Sequence, residues 1–563
     1  MKPLSAEDAF FFYVETPQQH QHTLGVLLLD ASNTGKKFSV KKLVKKMEVD
    51  IDTLPEFRQK LHDLPFYVAP PALVDDPKFK FKNHVHVHTL PKPGSRQQLC
   101  ELLGKISSEP LDKKRPLWET WYIDGLDDGM VAVATKSHHC MSDGVQGAEF
   151  MAEQFDFEPN PPKKSKKERK KNRQKKRAKP QQGRQAELVS FFNVMTRSWQ
   201  HHRKTKPGLG DMVSKTAKSF SARRKLFKES EKVRELVPEM FASAPKLKFN
   251  GAIGPTRSVA IGKLPLAELK KIKDTFNVTF NDVVLTACAL ALRELLIENN
   301  DLPSEALICA VPVSMKLKGG EVKEGQGNQV GNMFVKLPVQ ISNPVECLQA
   351  VHEATVQAKR IFDDSFENLM LGYIGMLSPS VANLAMKTFM GNFAMENLPT
   401  MANLVVSNFP GPPMALYMQG AKLNATFPIG PVMSGQGLNL TFMSGVKDLD
   451  FSVHADKEKL PDVWGLANGV ISAVEQLLEA SGPAKRAEKR KPAKAKVADS
   501  KALSAKTKKA ATSKRAAKTK AVAKPKVPTK TKTKTAIVKK RLTRSKTATS
   551  LKNKRKKTKT GRK

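Results

Sequence analysis

The stretch His138-His139-Cys140-Met141-Ser142-Asp143-Gly144 carries the strongest structural and chemical signal in this chain. It follows a strand-like run at residues 130–136 and precedes a run with helical character at residues 147–155. Because neighbouring residues of a strand point to opposite sides, the two imidazoles cannot both face one ligand. The pattern therefore predicts one reactive histidine, one supporting histidine, an Asp143 that holds the loop, and a Gly144 that permits a tight turn into the helix.

The residue types of this pattern fit proton transfer better than metal binding or nucleophilic catalysis. A neutral imidazole, with an ordinary pKa of about 6.5, can take a proton from an alcohol at neutral pH. Three alternatives stay open: a metal site of His138, His139 and Asp143, a nucleophilic Cys140, and a pair of satisfied core histidines. Adjacent histidines rarely converge on one ion, and a nucleophilic cysteine would need a covalent acyl-enzyme. We therefore favour a general base and predict no metal and no bound cofactor.

The positive charge of the chain is confined to two segments. The whole sequence of 563 residues has a net charge of +42. Residues 481–563 carry +31 and residues 163–184 carry +12, which leaves about −1 for everything else. A nearly neutral body argues against a protein whose folded part binds nucleic acid. Both basic segments have too few large apolar residues to form a core, so we expect them to be disordered.

The cysteines and the apolar runs favour a cytoplasmic protein without a membrane-spanning helix. The five cysteines are scattered and include no Cys-x-x-Cys pair, which argues against a disulfide framework and a structural zinc site. The N-terminus lacks the apolar stretch of a signal peptide. The longest apolar run, at residues 283–297, is interrupted by Arg293 and Glu294 and is too short to span a bilayer.

The order of predicted elements favours an α/β protein built from two halves. Residues 1–158 contain an apolar strand at residues 24–29 and two strands joined by Asp128-Gly129, a pair that favours a tight hairpin. Residues 159–254 contain the basic loop and a helical crossover, and residues 255–480 repeat the mixture of strands and helices. One helix of this second half, at residues 281–297, has Thr279 and Asn281 as candidate caps. Strands that alternate with helices and hairpins predict mixed sheets, followed by a disordered tail at residues 481–563.

Several motifs, in a fixed order, resemble one family of enzymes. The His-His-x-x-x-Asp-Gly signature is similar to that of the CoA-dependent acyltransferase superfamily, which includes chloramphenicol acetyltransferases, plant alcohol acyltransferases and peptide-synthetase condensation domains. Over about residues 3–478 the chain more narrowly resembles bacterial wax ester synthase/diacylglycerol acyltransferases. The motifs that carry this resemblance are Leu4-Ser5-Ala6-Glu7-Asp8-Ala9-Phe10, Tyr13-Val14-Glu15-Thr16-Pro17, Pro116-Leu117-Trp118, Asn281-Asp282, Val311-Pro312-Val313-Ser314, Gly331-Asn332 and Ser407-Asn408-Phe409-Pro410-Gly411-Pro412. The Asp-Phe-Gly-Trp-Gly element of the plant enzymes is absent, which disfavours that branch.

The resemblance implies a fold, a reaction and a set of site residues. The fold would be two chloramphenicol-acetyltransferase-like halves with a channel between them. His139 would deprotonate the hydroxyl of diacylglycerol or a fatty alcohol, which then attacks acyl-CoA to give triacylglycerol or wax ester. His138 and Asp143 would be structural supports. Asn281 would contact the reacting groups or, with equal weight, cap a helix. The alternatives are an acyltransferase or condensation enzyme for another alcohol or amine, and a non-catalytic protein that binds nucleic acid or inclusions through its tail.

The basic tail predicts a polyanionic partner. Each lysine near an anionic bilayer contributes about 1 kcal/mol, so partial engagement of the tail would hold an enzyme at a membrane or lipid-inclusion surface. The same charge would neutralise nucleic-acid phosphates non-specifically, because residues 481–563 contain no aromatic side chain for stacking on bases. A solvated tail without a partner is the third alternative. We therefore expect a cytoplasmic protein peripheral to the inner membrane or to lipid inclusions.

Overall fold

A computed structural model describes residues 2–482 of the chain apart from several internal segments. The segments outside this description are residues 35–37, 52–53, 63–66, 68, 142–153, 161–195, 197–198, 201, 205–207, 230–234, 237, 239–242, 315–329, 363–372, 374–375 and 390–398. The basic loop at residues 163–184 and the tail from residue 483 onward therefore lie outside the described residues. The same holds for most of the helix predicted at residues 147–155, of which Gln154 is helical and Phe155 is not.

The described residues form a mixed α/β fold, as the sequence predicts. The helices are α1 (Ala6–Tyr13), α2 (Val40–Asp50), α3 (Arg96–Ser108), α4 (Leu209–Glu229), α5 (Leu266–Phe276), α6 (Phe280–Glu298), α7 (Pro344–Ile361), α8 (Pro379–Phe389) and α9 (Val463–Ala480). The strands are β1 (Lys2–Pro3), β2 (His22–Asp30), β3 (Gln59–His62), β4 (Ala72–Asp75), β5 (Val85–Thr89), β6 (Trp118–Asp124), β7 (Val131–His138), β8 (Arg257–Pro265), β9 (Leu307–Ser314), β10 (Val330–Leu337), β11 (Leu404–Pro410), β12 (Tyr417–Met418), β13 (Ala421–Ile429), β14 (Leu438–Ser444) and β15 (Asp448–Asp456).

One six-stranded sheet carries the histidine motif at the end of β7. Its strand order is β12-β13-β2-β7-β6-β5, and only the β5–β6 pair is parallel. The predicted hairpin between β6 and β7 is confirmed, and Gly129 in its turn has a φ of +72° that favours glycine. Both faces of the sheet are covered, because alternate side chains of β2 pack with α3 on one side and with α2 on the other. The central strands are therefore rigid supports for the residues at their ends.

The second six-stranded sheet belongs to the C-terminal half. Its strand order is β10-β9-β11-β14-β15-β8, with parallel pairing where β11 meets β9 and β14. Helix α6 is apolar on nearly all sides and is buried among α7, α9 and this sheet. The helix predicted at residues 281–297 is thereby confirmed. A small third sheet, ordered β1-β4-β3, lies at the N-terminus.

The two halves share strands and are joined through helix packing. Strands β12 and β13, in the segment that the sequence assigns to the C-terminal half, complete the sheet of the N-terminal half beside β2. Helix α3 also packs against β8 so closely that a Cβ on Gly104 would lie 2.7 Å from the carbonyl oxygen of Arg257. Residues 255–480 are therefore not a self-contained half, in contrast to the division expected from the order of elements. No helix of the described residues is long and apolar enough to cross a membrane.

Candidate active site

Strand pairing fixes the backbone of the two motif histidines. In the β2–β7 ladder His22 lies opposite His138, the last residue of β7. The next residue, His139, begins a short 3₁₀ turn that ends at Met141, and its backbone N–H donates to the carbonyl of Gln21 at 2.7 Å. The chain thus leaves the sheet between the two histidines. Their side chains enter different surroundings, as the alternation of strand residues predicts.

His138 is the interior member of the pair. Its side chain is 1% exposed, and its Nε2 lies 3.1 Å from Oε1 of Glu15. The backbone N–H of Cys140 donates to Nδ1 at 3.1 Å, so a neutral His138 carries its proton on Nε2, towards the carboxylate. Burial lowers the pKa of His138, but the side chain of Cys140 and the Glu15 carboxylate raise it by more, so the net shift is upward. His138 is held from both ring nitrogens, and its supporting role stays a prediction.

Glu15 connects the two histidines. Besides His138, its carboxylate contacts Lys113 Nζ at 2.7 Å and accepts from the backbone N–H of Gln21 at 3.0 Å. Gln21 is the residue whose carbonyl holds the backbone of His139. Burial raises the pKa of Glu15, yet the hydrogen bond and charge of His138 and the charge of Lys113 outweigh it and keep this carboxyl ionised. One buried carboxylate therefore orients His138 directly and His139 through one residue, Gln21.

His139 is the more accessible histidine and is held by stacking. Its ring lies against Phe11 of α1, with centroids 3.9 Å apart and planes 17° from parallel. Its Nδ1 is buried and has no hydrogen-bond partner among the described residues. Burial, and then the positive charge of His138, lower the pKa of His139 to about 4. His139 is therefore a neutral imidazole at physiological pH, as a general base must be.

The surroundings of Cys140 differ from those of a nucleophile. Its side chain is 4% exposed and lies in an apolar cluster with Leu117, Phe12 and Met386. Reactive thiols in proteins are partly exposed, and the Cys140 side chain is buried. Among the described residues no group of three or more histidine, cysteine or acidic side chains is arranged to hold a metal ion.

Of the three other predicted site residues, the structure describes one. Asp143 and Gly144 lie outside the described residues, so their roles stay predictions. Asn281 is half-buried in the first turn of α6, and its Oδ1 lies 3.5 Å from Nδ2 of Asn408 on β11. The cap of α6 is Thr279 and not Asn281, because the Thr279 hydroxyl accepts from the backbone of Asp282. No hydrogen bond joins Asn281 to His139 within the described part of the chain.

Asp282, the second residue of the Asn281-Asp282 motif, is a buried anchor that sequence reasoning missed. Its carboxylate is fully buried and accepts hydrogen bonds from the backbone of Thr279 at 2.8 Å and from the hydroxyl of Thr355 at 2.6 Å. The Nδ1 of His352 lies 2.7 Å from the same carboxylate. Asp282 thereby ties the start of α6 to α7 and fixes the position of Asn281. In the sequence, an aspartate near the start of a helix indicates a capping box, but nothing indicates its partners on α7.

The orienting role of Glu15 predicts a specific effect of its neutral replacement. We expect Glu15→Gln to lower kcat by about 10–100-fold, because a small misplacement of a catalytic group is that costly. Loss of the carboxylate also lowers the pKa of His138. His139 then has a less charged neighbour, so its pKa rises from about 4 and the acidic limb of kcat/KM moves to higher pH. The measurement is the pH profile of kcat/KM for both proteins.

Glu119→Gln is the matched control for this experiment. It also removes a carboxylate charge, 3.3 Å from the buried Nζ of Lys136, but neither motif histidine contacts Glu119. We expect its acidic limb to coincide with that of the unaltered protein. An unchanged acidic limb in Glu15→Gln would contradict the connection between Glu15 and His139.

Comparisons with known proteins identify the family of this chain. Residues 4–284 match the model of the wax ester synthase/diacylglycerol acyltransferase catalytic domain, and residues 326–478 match that of the C-terminal domain of the same family. A protein of Mycobacterium tuberculosis named as a diacylglycerol O-acyltransferase is 33% identical over 482 residues, which cover 85% of this chain and 91% of that protein. A similarly named protein of Mycobacterium bovis is 27% identical over 488 residues, covering 86% of this chain and all of that protein.

Solved structures show the same fold at lower sequence identity. The wax ester synthase/diacylglycerol acyltransferase of Marinobacter aquaeolei VT8 superposes with a TM-score of 0.60 at 22% identity, over 85% of this chain and 100% of that one. The trichothecene 15-O-acetyltransferase of Fusarium sporotrichioides superposes with a TM-score of 0.51 at 13% identity, over 84% of this chain and 94% of that one. The two-half architecture predicted from the motifs is thereby confirmed.

Proposed function

Because the chain belongs to the wax ester synthase/diacylglycerol acyltransferase family, we propose that His139 is the general base of its acyl transfer. The protein is an acyltransferase that moves an acyl group to diacylglycerol or an alcohol. The observation that carries the proposal is the setting of His139: its ring stacks on Phe11, its backbone is held by Gln21, and burial lowers its pKa. His138 and Glu15 are positioning residues in this account.

The reaction needs one proton acceptor that later becomes a donor. The imidazole of His139 takes the proton of the acceptor hydroxyl as the oxygen attacks the thioester carbonyl carbon of acyl-CoA, which forms the C–O bond. Collapse of the tetrahedral intermediate breaks the C–S bond, and the imidazolium of His139 gives its proton to the departing thiolate. The products are the ester and free CoA, and His139 is neutral again. The thioester is already activated, so the proposed chemistry uses acyl-CoA as co-substrate and needs no metal or other cofactor.

Thiol release from palmitoyl-CoA tests this function and ranks the acceptors. The purified protein is assayed with hexadecanol, with dioleoylglycerol and without an acceptor. We expect thiol release that depends on an acceptor, and the faster acceptor identifies the preferred product, wax ester or triacylglycerol. Release that is equal with and without acceptor would indicate a thioesterase. No release under any condition would contradict acyl transfer and favour a non-catalytic protein that works through its tail.

We further propose that the tail holds the enzyme at an anionic membrane or lipid-inclusion surface on the cytoplasmic side. The support is the charge of +31 on residues 481–563 beside a nearly neutral body, together with the insolubility of the acceptors. Non-specific binding to nucleic acid is the competing outcome, because the same lysines neutralise phosphates of either source.

Removal of the tail gives a prediction with two readouts. We expect a protein lacking residues 483–563 to keep its turnover on detergent-solubilised substrate, because His139 and its partners lie in the remaining chain. We also expect it to bind anionic vesicles more weakly at low salt, since most of the positive charge is lost. Co-sedimentation with vesicles and, in parallel, retention by duplex DNA are measured. Unchanged vesicle binding would contradict a lipid anchor, and lost DNA binding alone would assign the tail to nucleic acid.

A further inference from the structure

Helix α8 has one buried face and one exposed apolar face. Ala382 and Met386 are buried in a cluster that includes Cys140 and residues of α1. On the other side Val381 and Leu384 are 51% and 67% exposed, and Leu377, two residues before the helix begins, is 38% exposed. The spacing of three residues places Val381 and Leu384 on one side of the helix. An exposed apolar stripe of this kind marks an interaction surface in a water-soluble fold.

The buried face places α8 next to the catalytic histidine. It packs on α1, whose Phe11 stacks against the ring of His139. The helix is fixed by two contacts with Tyr67: the Ser380 hydroxyl donates to its carbonyl at 2.9 Å, and Lys387 Nζ lies 5.1 Å from its ring centroid. The exposed stripe is therefore separated from the catalytic base by the thickness of α1 and α8.

Helix α4 is a second helix with exposed apolar side chains. Its Thr216 hydroxyl lies 2.6 Å from the hydroxyl of Tyr373, shortly before α8 in the chain. Among the side chains of α4 that the structure describes, those of Met212 and Ser219 are buried. Three large apolar side chains of α4 are exposed. These are Leu209, Val213 and Phe220, with exposed fractions of 64%, 55% and 49%.

The charge around the two stripes is positive. Helix α4 contains six lysine and arginine residues against Asp211 and Glu229, and α8 contains Lys387 and no acidic residue. Apolar stripes flanked by lysine and arginine are typical of helices that lie in the interface of an anionic bilayer. A second copy of the chain would bring the same positive charge to the contact, which disfavours self-association.

We propose that the exposed stripes of α8 and α4 form a docking surface for an anionic lipid layer that contains the acceptor. The surface inserts Leu377, Val381 and Leu384 between head groups, while the basic residues contact lipid phosphates. This inference rests on the proposed acyl transfer only in that the acceptor is a lipid. It adds to the tail a second, apolar anchor that lies beside the active site.

The test is a double substitution in the full-length protein, Val381→Asp with Leu384→Asp. At about 1 M NaCl the Debye length is about 3 Å, so the attraction of the tail is screened and residual binding reports apolar insertion. We expect the variant's partition onto phosphatidylglycerol vesicles at this salt to fall by about tenfold or more, because transfer of a single aliphatic side chain is worth that factor. With dioleoylglycerol in the vesicles, its turnover should fall in parallel.

Two controls distinguish the outcomes. Val446→Asp makes the same change at a 56% exposed valine in the β14–β15 turn, and we expect it to bind vesicles like the unaltered protein. The double variant should esterify a water-soluble medium-chain alcohol at the normal rate, which shows that its chemistry is intact. If the unaltered protein does not esterify this alcohol either, the result contradicts the proposed function and not the docking surface. Unchanged vesicle partition of the double variant would overturn the docking surface. A dimer that dissociates on substitution would assign the stripes to a second copy and would also overturn it.

Discussion

We expect His139→Ala to lower the turnover of acyl-CoA by about 10²–10⁴-fold, the contribution typical of a positioned general base. The physical reason is that no other neutral imidazole of the motif can replace it. His138 is 1% exposed, with both ring nitrogens engaged by Cys140 and Glu15. The measurement is the initial rate of acceptor-dependent thiol release.

The fold should survive this substitution, because His139 contributes little to the core. Its side chain stacks on Phe11. The hydrogen bond to Gln21 that fixes its position is donated by the backbone N–H, which alanine retains. We expect the thermal unfolding midpoint to change by a few degrees at most. His88→Ala, on the edge strand β5, is the control and should keep full activity. Turnover at the unaltered rate in His139→Ala would exclude His139 as the base.

The second large effect concerns stability. We expect Asp282→Ala to lower the free energy of unfolding by about 3 kcal/mol, because it removes a fully buried carboxylate that joins α6 to α7 and leaves the Thr279 N–H without its acceptor. Thr279, His352 and Thr355 all lose a contact shorter than 3 Å. Urea denaturation measures the change. The start of α6 would also shift, and with it Asn281, so kcat/KM should fall at temperatures where the variant is folded.

An exposed aspartate provides the comparison for this experiment. Asp274 of α5 has a side chain that is 69% exposed and pairs only with the neighbouring Lys273 among the described residues. We expect Asp274→Ala to change the free energy of unfolding by less than about 0.5 kcal/mol. Equal effects of the two substitutions would contradict the anchoring role of Asp282.

The local features of this fold are encoded in short stretches of sequence. The β6–β7 hairpin follows from two apolar runs around Asp128-Gly129, and the helix α6 from an apolar run that begins at its Thr279 cap. The different surroundings of His138 and His139 follow from strand alternation. In each case the signal and the structure involve residues within about one element of each other.

Contacts between residues that are distant in the chain could not be predicted in this way. Strand β13 pairs with β2, about 400 residues away in the chain, and nothing in its composition indicates that it pairs with this strand. Glu15 meets His138, and Asp282 meets His352 and Thr355, through contacts made only by the tertiary fold. A single acid that follows the apolar run Phe10-Phe11-Phe12-Tyr13-Val14 does indicate a buried carboxylate, but not which histidine it faces.

The central claim is that a neutral His139 accepts the proton, and the pH profile of kcat/KM for the unaltered protein tests it most directly. Thiol release from palmitoyl-CoA, with the preferred acceptor, is followed from about pH 4 to about pH 8, because kcat/KM reports the base of the free enzyme. A base is active when unprotonated, so the account predicts a plateau at neutral pH and a fall as the pH approaches about 4, the pKa of His139. An acidic limb centred near the ordinary histidine pKa of about 6.5 would contradict the account. So would a kcat/KM that still rises above neutral pH.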